Sequence, residues 1–248
     1  MNAVVARLTL RQLLGRRRVL LLVLLGALLV LVALVYFLTD AGHGDPVRMQ
    51  RFTSILLESF GLAVLMPLVA LLIGTAALGA EIEDGTAVYL LAKPIPRWTI
   101  VITKLVVATV AAVLLTSVPV FVAGLVASQG LGDGLVPAFT LAAAIGSLIY
   151  CAIFLAFSLL TGRALIFGLI YVLVWEGLLA GLFAGTRVLS VRQQTLAFAD
   201  ALSDVPQTVL HAQLDLTTAI VVGAVLLVGA TYLAVRRLQH FEISGETG

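Results

Sequence analysis

Charge is what this sequence has least of. Among 248 residues only 11% are Asp, Glu, Lys or Arg while 61% are hydrophobic, against about 25% charged and about 45–50% apolar in an average globular domain. A soluble domain is excluded, because a water-facing surface needs many more charges than a lipid-facing one. The net charge of +2 is too small to hold a nucleic acid by its phosphates, so none is expected as a partner. A single cysteine, Cys151, excludes an intrachain disulfide and sits in an apolar run as a small packing residue. The three histidines, His43, His211 and His240, have no carboxylate or second histidine at a metal-ligand spacing. Ser117, Ser147 and Ser158 have no histidine nearby in sequence, so intramembrane hydrolysis has no visible machinery, and such serines are expected to pack or bond back to their own helix. Lysine occurs only as Lys93 and Lys104, preceded by Ala92 and Thr103, so no phosphate-binding loop ending in Gly-Lys can form. Alone, the chain is not expected to hydrolyse ATP.

What is present is apolar length. Crossing about 30 Å of hydrocarbon takes roughly 20 helical residues, and the runs Val19–Leu38, Phe60–Ala80, Leu105–Ala127, Ala138–Leu160, Ala164–Phe183 and Thr217–Val235 qualify. Their backbones must be satisfied within each segment, and alternating ten-residue stretches are missing, so the fold class is all-α with six transmembrane helices rather than a barrel. Pro67 and Pro119 fall inside the second and third runs and should kink them. No linker, repeat or second soluble region interrupts the chain, and residues 1–248 read as one transmembrane domain.

Arg7, Arg11, Arg16, Arg17 and Arg18 stand before the first run. That run is longer than the apolar core of a cleavable signal and has no small-residue cleavage site after it, so it is expected to be retained. Residues 1–18 carry Val4, Val5, Leu8, Leu13 and Leu14 at near-helical spacing against the arginines, which fits an amphipathic helix on the membrane surface; an unstructured basic tail is the alternative. With the N-terminus in the cytoplasm, Arg7, Arg11, Arg16, Arg17, Arg18, Lys93, Arg97, Lys104, Arg163, Arg236 and Arg237 lie inside, against Arg48, Arg51, Arg187 and Arg192 outside. This asymmetry predicts both termini in the cytoplasm of a multi-pass protein; the cell membrane of a prokaryote is the expected location.

Two connections are long. The external one, 184–216, contains Leu189, Leu196, Ala199 and Leu202 one or two turns apart, as an amphipathic helix that rests on the surface or dips back as a lid; a solvated loop without a role is the competing reading. The cytoplasmic one, 81–104, opens with Glu81, Glu83 and Asp84. Acids are unfavourable at the end of one helix and favourable at the start of the next. A short second helix is therefore expected, capped by Asp84, begun by Gly85 and Thr86, with Leu90 and Leu91 on its apolar side and Pro94 and Pro96 ending it. Arg97 and Trp98 then mark the membrane interface.

This order of residues resembles the signature between the second and third helices of ABC-2 type permeases, the transmembrane subunits of ABC exporters. The matching elements are Glu81 and Glu83, Gly85 and Thr86, Leu90 and Leu91, Pro94 to Arg97, and Lys104. The six spans, the basic surface (elbow) helix and the longer segment between spans five and six extend the resemblance over nearly the whole chain. It implies that 81–104 is a coupling helix docking on a separate ATPase subunit, that two permeases pair with two ATPases, and that ATP and magnesium bind in the partner, with no cofactor in this chain. The motif recurs among exporters of drugs, lipids and polysaccharides and in copper-related permeases of nitrous oxide reductase maturation, so it carries no signature of the substrate.

Gly177, Gly181 and Gly185 recur every four residues and offer a small face for another helix, within the subunit or across a dimer; the resemblance favours the dimer. Glu176 is the acid inside a span, about twelve residues or roughly 18 Å from its start. A carboxylate at that depth is costly unless paired, protonated or wetted. It is a candidate for the translocation path, a structural group bonded to a neighbouring helix, or an interfacial residue beside Trp175. The reading is a permease of an amphipathic or cationic cargo such as a drug or lipid. A membrane scaffold is the rival, and a secondary transporter fits less well, since that class carries several buried ionisable groups and inverted repeats.

Overall fold

The computed structural model describes residues 16–39, 45–83, 96–131, 134–182 and 184–240, with backbone alone at 16–18, 80–83 and 184. Among the described residues the regular structure is entirely helical, and six helices are long and apolar enough to cross a membrane. The first is Arg16–Leu38. The second is continuous from Pro46–Leu56 through a π-helical stretch, Leu57–Leu65, into Met66–Glu83. The third and fourth are Arg97–Ser128 and Leu135–Leu160. The fifth runs through Ala164–Ile170, a second π stretch at Tyr171–Leu179, and Ala180–Leu182, and the sixth is Leu216–Gln239. One end of the bundle, the basic end, carries Arg163, Arg236 and Arg237 beside the start of the first span and the end of the sixth.

The second and third helices begin earlier than their apolar runs. Asp45 accepts the backbone N–H of Val47 at 3.0 Å and Pro46 occupies the first helical position, so the chain is already helical through the polar stretch that contains Arg48, Arg51 and Glu58. Glu58 consequently lies in the second helix, roughly 30 Å from Gly79 and near the far edge of the hydrocarbon. Likewise the third helix starts at Arg97, which puts Lys104 two turns inside it rather than before it. The proline effects differ. Pro67 lacks an N–H and its ring crowds the carbonyl four residues earlier; the helix just before it widens into the π stretch. Pro119 stays within regular helix and seats against Gly26 of the first span, where an added Cβ would stand 2.7 Å from the proline Cγ.

The second and fourth spans form the core, and the first, fifth and sixth surround them with mostly exposed apolar side chains, as lipid-facing helices require. Close approach is set by single glycines. A Cβ on Gly74 would meet Phe154 at 3.0 Å, and Gly168 of the fifth span lies directly against Leu71. Cys151 is fully buried at the Gly74 contact and unpaired, as a packing residue. Ser158 bonds back to the carbonyl of Leu155, whereas Ser117 donates to Thr140 and Ser147 pairs with Thr116 at 3.0 Å, so these two stitch the third span to the fourth.

Candidate functional site

Between the fifth and sixth spans the chain does not stay at the surface. A 3₁₀ turn, Ala184–Leu189, leads into a helix, Val191–Leu202, whose first residues are buried inside the bundle. Ser190 caps it, accepting the N–H of Gln193 at 3.2 Å. Val191, Gln194, Thr195, Leu196, Ala197 and Ala199 are buried, giving the helix an inward face two to three residues wide per turn. Its depth is fixed by two notches. Thr195 lies against Gly146, eleven residues or about 16 Å below the start of the fourth span, and the Gln194 side chain sits 3.2 Å from where Gly223 would carry a Cβ, about 10 Å below the start of the sixth. The helix therefore turns back into the bundle, and it is re-entrant in that sense.

A polar helix start at that depth needs partners, and carboxylates from two different spans provide them. Glu176, only 6% exposed, accepts the backbone N–H of Val191 at 2.8 Å and the hydroxyl of Ser190. Tyr171, one turn earlier on the same π stretch, reaches it at 3.4 Å, and the fully buried phenol of Tyr150 lies beside it without a hydrogen bond of ordinary geometry. Negative charge is favoured at the N-terminal end of a helix, where unpaired N–H groups converge. From the other side Glu58 pairs with Arg192 at 3.1 Å, with both side chains about a quarter to a third exposed. Both carboxylates sit on π stretches, 57–65 and 171–179. Gln194 donates to the carbonyl of Val188 at 2.9 Å, and its Oε1 has no partner among the described residues. Chemically this cluster is a fastening: it holds a helix end in the bundle, and among the described residues no group of three His, Cys, Asp or Glu is placed to hold a metal.

The residues anticipated from sequence are distributed as follows. Asp84, Gly85, Thr86, Leu90, Leu91 and Pro94 lie outside the described residues, as do the basic segment before Arg16 and its surface helix. Glu81 and Glu83 are the last turn of the second helix, and Arg97 begins the third, with Trp98 exposed beside it. Glu176 is hydrogen-bonded to Val191, Ser190 and Tyr171. Gly177 lies in the π stretch and Gly185 in the 3₁₀ turn, so the three glycines do not share one α-helical face, and nothing stands within 4 Å of a Cβ at Gly181 or Gly185. Lys104, expected from sequence among the cytoplasmic charges and at the approach to the third span, is instead enclosed within the bundle. It is completely buried, and its Nζ donates to the carbonyl of Ala77 at 2.6 Å, joining the third helix to the last turns of the second at the edge of the 81–104 segment.

Six apolar helices, with a segment before the last that turns back among them, define a multi-pass membrane protein with a polar fastening toward the end of the bundle opposite Arg163. Residues 14–193 match the family described as ABC-2 family transporter protein. The chain belongs to that family, the membrane components that work with an ABC ATPase subunit. A search of curated proteins finds no match.

Proposed function

We propose that this chain is the permease subunit of an ATP-driven exporter, pairing with a second permease, identical or similar, and with two separate ATPase subunits. The family match over residues 14–193 is the observation that carries this reading. In it, both termini face the cytoplasm, the acidic and Gly-Thr stretch of 81–104 is the coupling segment, and ATP with magnesium is bound by the partner. Closure of the ATPases moves that segment, and Lys104, anchored on Ala77, passes the motion into the second and third spans together. The apolar character of the chain favours a drug, a lipid or another amphipathic cargo.

The test is whether the neighbouring reading frame encodes an ABC ATPase, followed by capture and transport with it. The purified permease alone should show no ATP hydrolysis, while the complex should hydrolyse ATP and move an amphipathic dye in vesicles. Glu83→Arg and Gly85→Pro should leave the permease folded in detergent and weaken capture. Unchanged capture and unchanged transport in both variants would remove 81–104 from the interface, and a complex that assembles without moving any cargo would favour the scaffold.

A further inference from the structure

An apolar groove of about 430 Å³ runs between the fourth, fifth and sixth spans, with Phe157 and Leu160, Tyr171 and Trp175, and Gly229 and Leu233 along its walls. On the sixth span it extends from Val225 to Leu233, eight residues or about 12 Å, which is most of one leaflet of a bilayer. Its inner limit is Leu189, the last residue of the turn before the re-entrant helix. Nothing stands within 4 Å of a Cβ at Gly229, so the missing side chain leaves open space. The groove reaches the basic end of the bundle. Leu160 is followed within three residues by Arg163, and Leu233 within four by Arg236 and Arg237, with Arg237 on the face that continues the Gly229–Leu233 stripe. All three arginines are exposed, and among the described residues none of them is in an ion pair.

We infer that this groove is a binding site for one anionic phospholipid of the leaflet on the basic side, its acyl chain lying along Gly229 and Trp175 and its phosphate held by Arg163, Arg236 and Arg237. The charge at the mouth selects the headgroup. A zwitterionic lipid has the same chain but gains little from three guanidinium groups, whereas an anionic headgroup offers them an uncompensated phosphate, the pairing that basic pockets between membrane helices use. The length suits a chain within one leaflet and not a second transmembrane helix, which would need the full thickness. The site does not depend on the transport reading and is tested without ATP.

The sequence contains two tryptophans, Trp98 and Trp175, so Trp98→Phe leaves Trp175, in the groove wall, as the one reporter. The full chain is placed in phosphatidylcholine vesicles with rising fractions of phosphatidylglycerol or phosphatidylcholine brominated in the acyl chain, which quench an adjacent indole. The expected result is half-maximal quenching at a fraction of the anionic lipid at least about fivefold lower, the factor that roughly 1 kcal/mol from even one of the three arginines implies. In the same background Arg163→Gln/Arg236→Gln/Arg237→Gln should abolish that preference while leaving quenching by the zwitterionic lipid as it was, with Arg237→Gln alone giving an intermediate value if the triple variant fails to fold. Gly229→Leu should weaken quenching by both lipids. Equal potency of the two lipids, or a preference that survives loss of the arginines, overturns the proposal. So does a Trp175 that neither lipid quenches, which would assign the groove to a second copy of the chain.

Discussion

Glu176 and Val191 are fifteen residues apart in sequence, yet the carboxylate of the first accepts the backbone N–H of the second at 2.8 Å, in a site where both are buried. A membrane span thus supplies the cap for the helix that follows it. Removing the acceptor strands a buried N–H and the Ser190 hydroxyl together, at about 1–3 kcal/mol for each group left unsatisfied. Glu176→Gln, which keeps an acceptor, should lower the apparent Tm by a few degrees and preserve assembly. Glu176→Leu should lower it clearly more and reduce the yield of monodisperse protein. Because the carboxylate is committed to the helix end, transport of cationic and neutral cargo should fall in parallel in the Gln variant. A selective loss of cationic cargo would return Glu176 to the translocation path.

The depth of the re-entrant helix rests on Gly146. An added Cβ there overlaps Thr195 and Met66, so Gly146→Val should overpack the site and cost about 1–3 kcal/mol. Thr195→Ala removes the opposing methyl group and should recover part of that loss, appearing as a favourable coupling in a double-mutant cycle on detergent-solubilised protein. Strict additivity would mean that the two residues do not meet.

Lys104 can be separated into charge and bulk. Lys104→Met keeps the length of the chain and should fold near wild type, whereas Lys104→Ala leaves a void and should unfold at a distinctly lower temperature. Under the proposed function the Met variant uncouples, so ATP hydrolysis persists while cargo moved per ATP falls. A Met variant with unaltered coupling would leave Lys104 as packing alone.

Orientation is read by labelling. Gly162 and Gln207 are exposed at opposite ends of the bundle, and the native Cys151 is fully buried. In intact cells an impermeant maleimide should modify Gln207→Cys and spare Gly162→Cys until the membrane is opened. The reverse pattern would invert the topology.

The six spans were legible because each is a long apolar run, and hydrocarbon permits little else. Their ends were less so. Hydropathy misses nearly the first four turns of the second helix because Arg48, Arg51 and Glu58 interrupt it, although Asp45 followed by Pro46 is a helix-start signal that a reading by caps would have caught. The depth of Glu176 was visible by counting residues. Its partners were not, since they lie on a segment that leaves the span and folds back, and an amphipathic pattern cannot distinguish lying on a surface from entering a bundle. The burial of Lys104 was hidden for a similar reason: a lysine near the start of a span ordinarily snorkels to the interface, and only the packing of the second helix against the third reveals that its amine is enclosed.

The notch at Gly146 also constrains how the protein is made. The fourth span enters the membrane with this face unfilled, and Thr195, which covers it, emerges roughly fifty residues later, an interval of several seconds at about 5–20 residues per second. Throughout that interval Ser147 already has Thr116 of the third span as its partner, whereas Tyr150, fully buried in the finished protein, still waits for Glu176 of the fifth span. A chain that stopped before Val191 would therefore keep the notch at Gly146 without its Thr195 cover, however well its first five spans were packed.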